Sequence, residues 1–170
     1  MPDVDESAPA AGPVIRRVGE DDWRVWRDVR LAALADAPGA FGSSTEQEQA
    51  LPENDWRAMI RTAAIFVATA GESSVGVVAG LPRESAGERG LGAMWVAPSW
   101  RGRGVAAALT DAVIAWARSE GCVRIGLWVC ADSPRARRFY QRQGFRATGQ
   151  IRPFPGDATR TIDEMVLGLD

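Results

Sequence analysis

Trp95-Val96-Ala97-Pro98-Ser99-Trp100-Arg101-Gly102-Arg103-Gly104-Val105-Ala106-Ala107 is the stretch on which the reading of the chain turns. It reads as a short apolar strand, a basic turn with two closely spaced glycines, and a helix that starts at once. Gly102 and Gly104 remove side chains where backbone must approach a ligand, and the first N–H groups of the following helix have no intrahelical partner. The helix dipole adds partial positive charge there and Arg101 and Arg103 add whole charges, so the turn asks for a phosphate-bearing anion.

The spacing Gly102-x-Gly104-x-x-Ala107 also satisfies the dinucleotide pattern G-x-G-x-x-G/A. Three features count against that site. Ala97 to Arg101 separate the turn from its strand, no acid ends the next strand at the usual spacing, and too little chain follows Ala107 for the rest of a doubly wound sheet.

Composition narrows the chemistry. The 170 residues, 46% hydrophobic and 25% charged, suit one globular domain with a sizeable core. Net charge is −2, but Asp3, Asp5 and Glu6 lie in the first 13 residues and the remainder is close to neutral, so no nucleic-acid surface is expected. Every basic residue is arginine and histidine is absent, which excludes a lysine Schiff base, a Walker lysine and a His-paired serine or cysteine hydrolase. Cys122 and Cys130 read as opposite ends of one strand, too far apart to bridge, and C-x7-C without histidine is a poor zinc signature. No metal site and a reducing, cytoplasmic setting are therefore expected. No run approaches the ~18 apolar residues of a membrane span. Residues 1–13 have neither the basic nor the apolar region of a signal peptide and read as a disordered tail before a single domain at 14–170.

The rest of the chain supplies alternating elements. A brief strand at Val14–Val18 leads to a helix reaching about Ala35, with Trp26, Val29, Ala33 and Leu34 on one face. Ala40 to Gln49 reads as a loop or a ragged helix, and a clearer helix follows from Pro52 to about Thr62. Ala64–Ala70 and Val75–Leu81 form an expected hairpin, with glycines at 76 and 80 thinning the second strand. The strand Leu91–Val96, the glycine turn, the helix Val105–Ser119 and the strand Val123–Val129 make a right-handed crossover with parallel strands. Ser133-Pro134 starts another helix, with serine as N-cap, and Phe145–Gly149 and Arg160–Leu169 are final strands joined by the loop Arg152–Asp157.

Two motifs taken together narrow the anion. The first is R-x-x-G-x-A from Arg101; the second is L-W-V-C-A-D-S-P-R-A-R-R-F-Y-Q-R-Q-G-F from Leu127 to Phe145. With their separation, these resemble the GCN5-related N-acetyltransferase (GNAT) family. The resemblance implies an α/β fold with a mixed, mostly antiparallel sheet of six to seven strands, one splayed parallel pair and about four flanking helices.

It further implies acetyl-CoA as co-substrate and direct transfer, in a ternary complex, to a primary amine of a small molecule or of a peptide or protein. Backbone N–H groups over Gly102, Arg103, Gly104, Val105, Ala106 and Ala107 would hold the pyrophosphate, with Arg101 beside them. Met94, Trp95 and Val96 would pair with the pantetheine arm. Ser133, standing where the family usually has asparagine, and Ala136, Arg137 and Tyr140 share the face of the second-motif helix toward the cofactor. Tyr140, the only tyrosine, would protonate the leaving thiolate. Arg135, Arg137 and Arg138 could meet the 3′-phosphate.

The general base is open, because the strand before the turn, Gly90-Leu91-Gly92-Ala93-Met94, lacks the family's glutamate. Glu46 or Glu48 is the candidate, to bind the amine or relay its proton through water, and Glu164 on the last strand is another. Phe41, Trp95, Trp128 and Glu164 are candidates for the acceptor side. The acceptor's identity and a homodimer are left open, and a non-catalytic acyl-CoA-binding module is the competing reading.

Overall fold

The computed structural model describes residues 12–170, so the tail expected over residues 1–13 lies almost wholly outside the described residues. Seven strands form one sheet: β1 (Val14–Arg17), β2 (Ala64–Ala70), β3 (Ser73–Pro82), β4 (Glu88–Val96), β5 (Arg124–Cys130), β6 (Arg146–Phe154) and β7 (Asp157–Gly168). Their order across the sheet is β1-β2-β3-β4-β5-β7-β6. All neighbours are antiparallel except β4 and β5, which α4 (Val105–Ser119) joins as a crossover. This is the mixed, mostly antiparallel sheet with one parallel pair that the family resemblance implied.

That parallel pair is short. It holds for Glu88↔Arg124, Arg89↔Ile125 and Gly90↔Gly126, after which β4 stays with β3 and β5 stays with β7. Beyond Gly90 and Gly126 the two strands diverge and leave a wedge in the sheet.

Each face of the sheet has its own core. On one, α4 packs over Val78, Leu91, Ile125 and Leu127 through Val105, Leu109 and Val113. Gly76 and Gly80 of β3 lie under this helix: a Cβ at 76 would meet Val105 and Leu109, and one at 80 would run into the Trp116 ring. These glycines therefore set how closely α4 approaches the sheet. On the opposite face, α1 (Trp23–Asp36) and α3 (Glu53–Thr62) cover Ile65, Val67, Val77 and Ala79. There Trp26 and Trp56 meet edge-on with centroids 6.1 Å apart, a geometry worth about 1 kcal/mol beyond its buried area.

Local signals explain most boundaries. Glu20–Asp22 forms a 3₁₀ turn ahead of α1, so these acids precede the helix and do not make its first turn. The ambiguous stretch after it contains α2 (Thr45–Gln49), started by a capping box in which Ser44 accepts from the Gln47 amide. α4 ends at Gly121 (φ 73°), where Cys122 N–H returns to the Ala117 carbonyl at 3.0 Å. α5 (Pro134–Arg142) ends in the same way at Gly144 (φ 96°), with Phe145 N–H reaching the Tyr140 carbonyl at 3.0 Å.

Two expectations need correction. Ser133 occupies the N-cap position of α5 but its side chain makes no capping hydrogen bond. The proline-rich segment Arg152–Asp157 is not a loop: β6 runs to Phe154 and β7 starts at Asp157, leaving a tight turn at Pro155-Gly156. Proline is tolerated there because β6 is an edge strand, and Gly156 supplies the positive φ of 85°.

Replacing Gly80 by alanine should cost about 1–3 kcal/mol, since the added methyl must displace the Trp116 ring. Urea unfolding would read this loss, with Gly19→Ala, where nothing lies within 4 Å, as the reference.

Candidate active site

The wedge between β4 and β5 opens onto two cavities. The first, of about 680 Å³, lies on the α4–α5 side and is bordered by Met94 to Val96, by the glycine turn and by Ser133, Ala136 and Tyr140. The second, of about 520 Å³, lies on the α1 side and is walled by Trp26, Met59, Trp128, Phe154 and Ile162. Ala40 and Phe41 border both.

A bulge in β4 divides the two. Gly92 pairs with Ala79 and Trp95 with Val77, so Ala93 and Met94 together oppose Val78. Ala93 takes φ 53°, a conformation that costs a side-chain-bearing residue about 1–2 kcal/mol. The result is that Met94 borders the first cavity and Ala93 the second.

The glycine turn has the geometry of an anion seat. Gly102 has φ 74° and Gly104, the N-cap of α4, has φ 81°, with open space where a Cβ would stand. No side chain caps α4, and its first internal bond is Ala108 N–H to the Gly104 carbonyl, so the amides of Val105, Ala106 and Ala107 are left for an occupant of the cleft.

The nearby arginines divide into engaged and available. Arg101 donates to the Val96 carbonyl at 3.0 Å and pairs with Asp36, while Arg103 lies over the Trp100 ring at 5.0 Å and does not border the cleft. Arg137, expected at the cofactor, pairs with Asp163 and is likewise absent from the cleft wall. Arg135 and Arg142 border the cleft with no ion pair among the described residues.

Asp36, at the end of α1, had no sequence signal. Its carboxylate accepts from Trp95 Nε1 at 2.9 Å and from Arg101, tying α1 to the end of β4 and to the entry of the glycine turn. The Trp95 hydrogen bond, helped by Arg101, holds its carboxyl below the usual carboxylate value.

Tyr140 stands in the wall of the first cavity and is 7% exposed. Its ring packs edge-on against Phe139 at 5.0 Å and Phe145 at 5.7 Å. The left-handed Gly144 is what folds Phe145 back beneath it, which gives the spacing F-Y-x-x-x-G-F a mechanical reason. Burial pushes the phenol well above its ordinary 10.0, so it stays protonated and can act as an acid.

The expected bases fare differently. Glu46 is exposed and borders neither cavity. Glu48 is buried in the wall of the second, but Arg30 grips it with Nε at 2.9 Å and Nη2 at 2.8 Å. Arg30 lies four residues after Trp26, on the buried stripe of α1, and that placement was the available signal. Glu164 does not border the cavity; Arg83 and Thr148 donate to it. Burial alone would raise its carboxyl, but these hydrogen bonds outweigh burial and hold it below the usual value. Arg83 reaches it by crossing Gly126, where a Cβ would collide with the guanidinium.

Among the described residues no helix is long and apolar enough to cross a membrane, and no cluster of three metal-ligating side chains exists. Cys122 and Cys130 are both free.

Comparison with known proteins identifies the arrangement. The model of the Acetyltransferase (GNAT) family matches residues 26–145. An N-acetyltransferase from Mycobacterium bovis, of uncharacterised role, is 39% identical over 59 residues, which are 35% of this chain and only 38% of that relative. An aminoglycoside N(6′)-acetyltransferase type 1 from Stenotrophomonas maltophilia is 28% identical over 84% of this chain and 92% of its own length. The structure of yncA from Salmonella typhimurium with its cofactor acetyl-CoA superposes with a TM-score of 0.74 at 17% identity, covering 94% of this chain and 95% of that one.

Glu164→Gln should destabilise the fold by about 1.5–3 kcal/mol at neutral pH, because the Arg83 guanidinium then keeps as its carboxylate partner only Glu88, at 3.6 Å. Because the folded pKa is depressed, the carboxylate's contribution is complete above its unfolded value near 4.5 and is lost as pH falls through the folded value. Denaturant titrations in acid should thus show the gap between the two proteins closing below that pH. The family model spans most of the chain and the sheet, wedge and both motifs agree with it, so the chain belongs to the GNAT family of acetyltransferases.

Proposed function

We propose that this chain is an acetyl-CoA-dependent N-acetyltransferase acting on a small primary amine, with residues 14–170 as its single catalytic domain. The observation that carries the reading is Tyr140, a buried protonated phenol in the wall of the same cleft that contains the uncapped amides of Val105 to Ala107. Those amides and the positive-φ glycines suit a pyrophosphate, and Arg135 and Arg142 suit the phosphate at the nucleotide end. Acetyl-CoA supplies the activated thioester.

The remaining work falls to the chain's own groups. The bulge at Ala93 turns β4 backbone toward the wedge, where an N–H near Val96 can polarise a carbonyl. The Tyr140 hydroxyl donates a proton to the departing thiolate. Neither cavity wall contains a carboxylate free of an arginine, so the amine enters the reaction unprotonated and gives up its proton to water.

A small acceptor fits the size of the second cavity, about 520 Å³. The loop after α1 meets the β6–β7 turn above it: Gly42 lies against Pro155 and Arg160 donates to the Gly39 carbonyl at 2.7 Å. The relatives that act on aminoglycosides and on spermidine are compatible with a small-molecule amine as the class.

Thiol release from acetyl-CoA over an amine panel tests the reading. Tyr140→Phe should lower kcat about 10²–10⁴-fold with little change in KM. In the wild type, kcat/KM should rise about tenfold per pH unit toward the amine pKa near 10, without a fall from Tyr140 in that range. If acetyl-CoA binds but no amine accelerates release, the chain is an acyl-CoA-binding module and not an enzyme.

A further inference from the structure

The second cavity has a charge pattern that narrows the amine. We infer that the acceptor is a compact amine of the amino-acid class, with an apolar or aromatic body and a carboxylate that meets Arg152; this rests on the acetyltransferase reading above.

The body of the acceptor follows from the walls. Trp26, Phe41, Met59, Trp128, Phe154 and Ile162 present rings, a thioether and a branched aliphatic chain. Such a lining favours an apolar group over a hydroxyl-rich sugar, for which it has few polar partners, Thr62 and the Trp26 Nε1 donor among them.

The charge follows from which ionised groups are already matched. A polycation such as a polyamine or an aminoglycoside would need a free carboxylate for each desolvated ammonium. On this side of the sheet Glu48 is gripped by Arg30, Glu164 by Arg83 and Asp132 by Arg160. No carboxylate that borders the cavity is left over.

A cation, by contrast, is left over. Arg152 pairs across the sheet with Ile162, and Ile162 pairs with Cys130; both of those residues border the cavity, so the register puts Arg152 on the same face. Its guanidinium carbon lies 4.2 Å from the centroid of Trp128, one of the cavity walls. The residue is exposed at the rim and not in the cavity wall; it has no ion pair among the described residues and acts on Glu164, which Arg83 holds, only at longer range. Stacked flat on the indole, a guanidinium is pre-organised to present its N–H edge to a carboxylate. Arg160, stacked over Phe154 at 4.3 Å, is not equivalent, because Asp132 and the Gly39 carbonyl occupy it. An acceptor whose apolar body fills the cavity with its amine toward the wedge would place an adjacent carboxylate within reach of Arg152.

The test uses matched amines with purified full-length protein and acetyl-CoA, comparing kcat/KM per unprotonated amine. Phenylalanine is set against 2-phenylethylamine and leucine against isopentylamine, each pair differing by the carboxylate alone, with spermidine and kanamycin as polycations. The expected result is at least a tenfold preference for the carboxylate-bearing member of one pair or both, with the polycations near background. Arg152→Gln should collapse that preference to about one by raising KM ten- to hundredfold, and Arg152→Lys should restore part of it. Preferred turnover of spermidine or kanamycin, no preference for the carboxylate, or a preference that survives Arg152→Gln overturns the inference while the acetyltransferase reading stands. No turnover with any amine overturns that reading and the inference with it.

Discussion

The short parallel contact between β4 and β5 is the constraint on which the rest depends. Three residue pairs hold the two halves of the sheet together, and each strand then remains with its antiparallel neighbour. Antiparallel pairing is slightly the stronger per residue, so a β-sheet asked to choose keeps its hairpins and opens along the parallel seam. The opening lets the two cavities face each other through the sheet with no channel having to be cut through a packed core. The bulge at Ala93 lies in this opening, where backbone strain has a functional use.

Charge balance around the opening is almost complete. Asp36 joins Trp95 and Arg101, Asp163 takes Arg137, Glu48 takes Arg30, and Glu164 takes Arg83. A chain whose basic residues are all arginine can do this with forked, directional contacts, which fix side-chain positions more tightly than lysine would. Of the arginines without an ion pair among the described residues, Arg135 and Arg142 border the first cavity and Arg152 stacks on Trp128, a wall of the second.

Local and periodic features were legible in the sequence. The strand-turn-helix around Gly102 and Gly104, the α4 stripe, the hairpin at Gly71 and the F-Y-x-x-x-G-F ending of α5 all come from short-range rules of backbone freedom and side-chain spacing. The parts that were missed depend on contacts distant in sequence. Nothing near Asp36 announces that Arg101 will reach it, and nothing near Arg83 announces Glu164. Nor does the sequence around Arg137 announce Asp163: a helix face toward a cleft also faces the neighbouring strand, where Asp163 pairs with it. The Arg152–Asp157 segment read as a loop because proline and glycine mark turns, but an edge strand accepts proline and the turn needed only Pro155 and Gly156.

Phe41 has a further consequence as a wall common to both cavities. Its ring carries the Arg30 guanidinium at 4.8 Å where it borders the second cavity, and it borders the cleft of the glycine turn as well. A partition of this kind cannot shift for one occupant without changing the space offered to the second. The affinities of the two chambers are then linked by a single coupling free energy, equal in both directions, so whatever filling one does to the other is returned in the same measure.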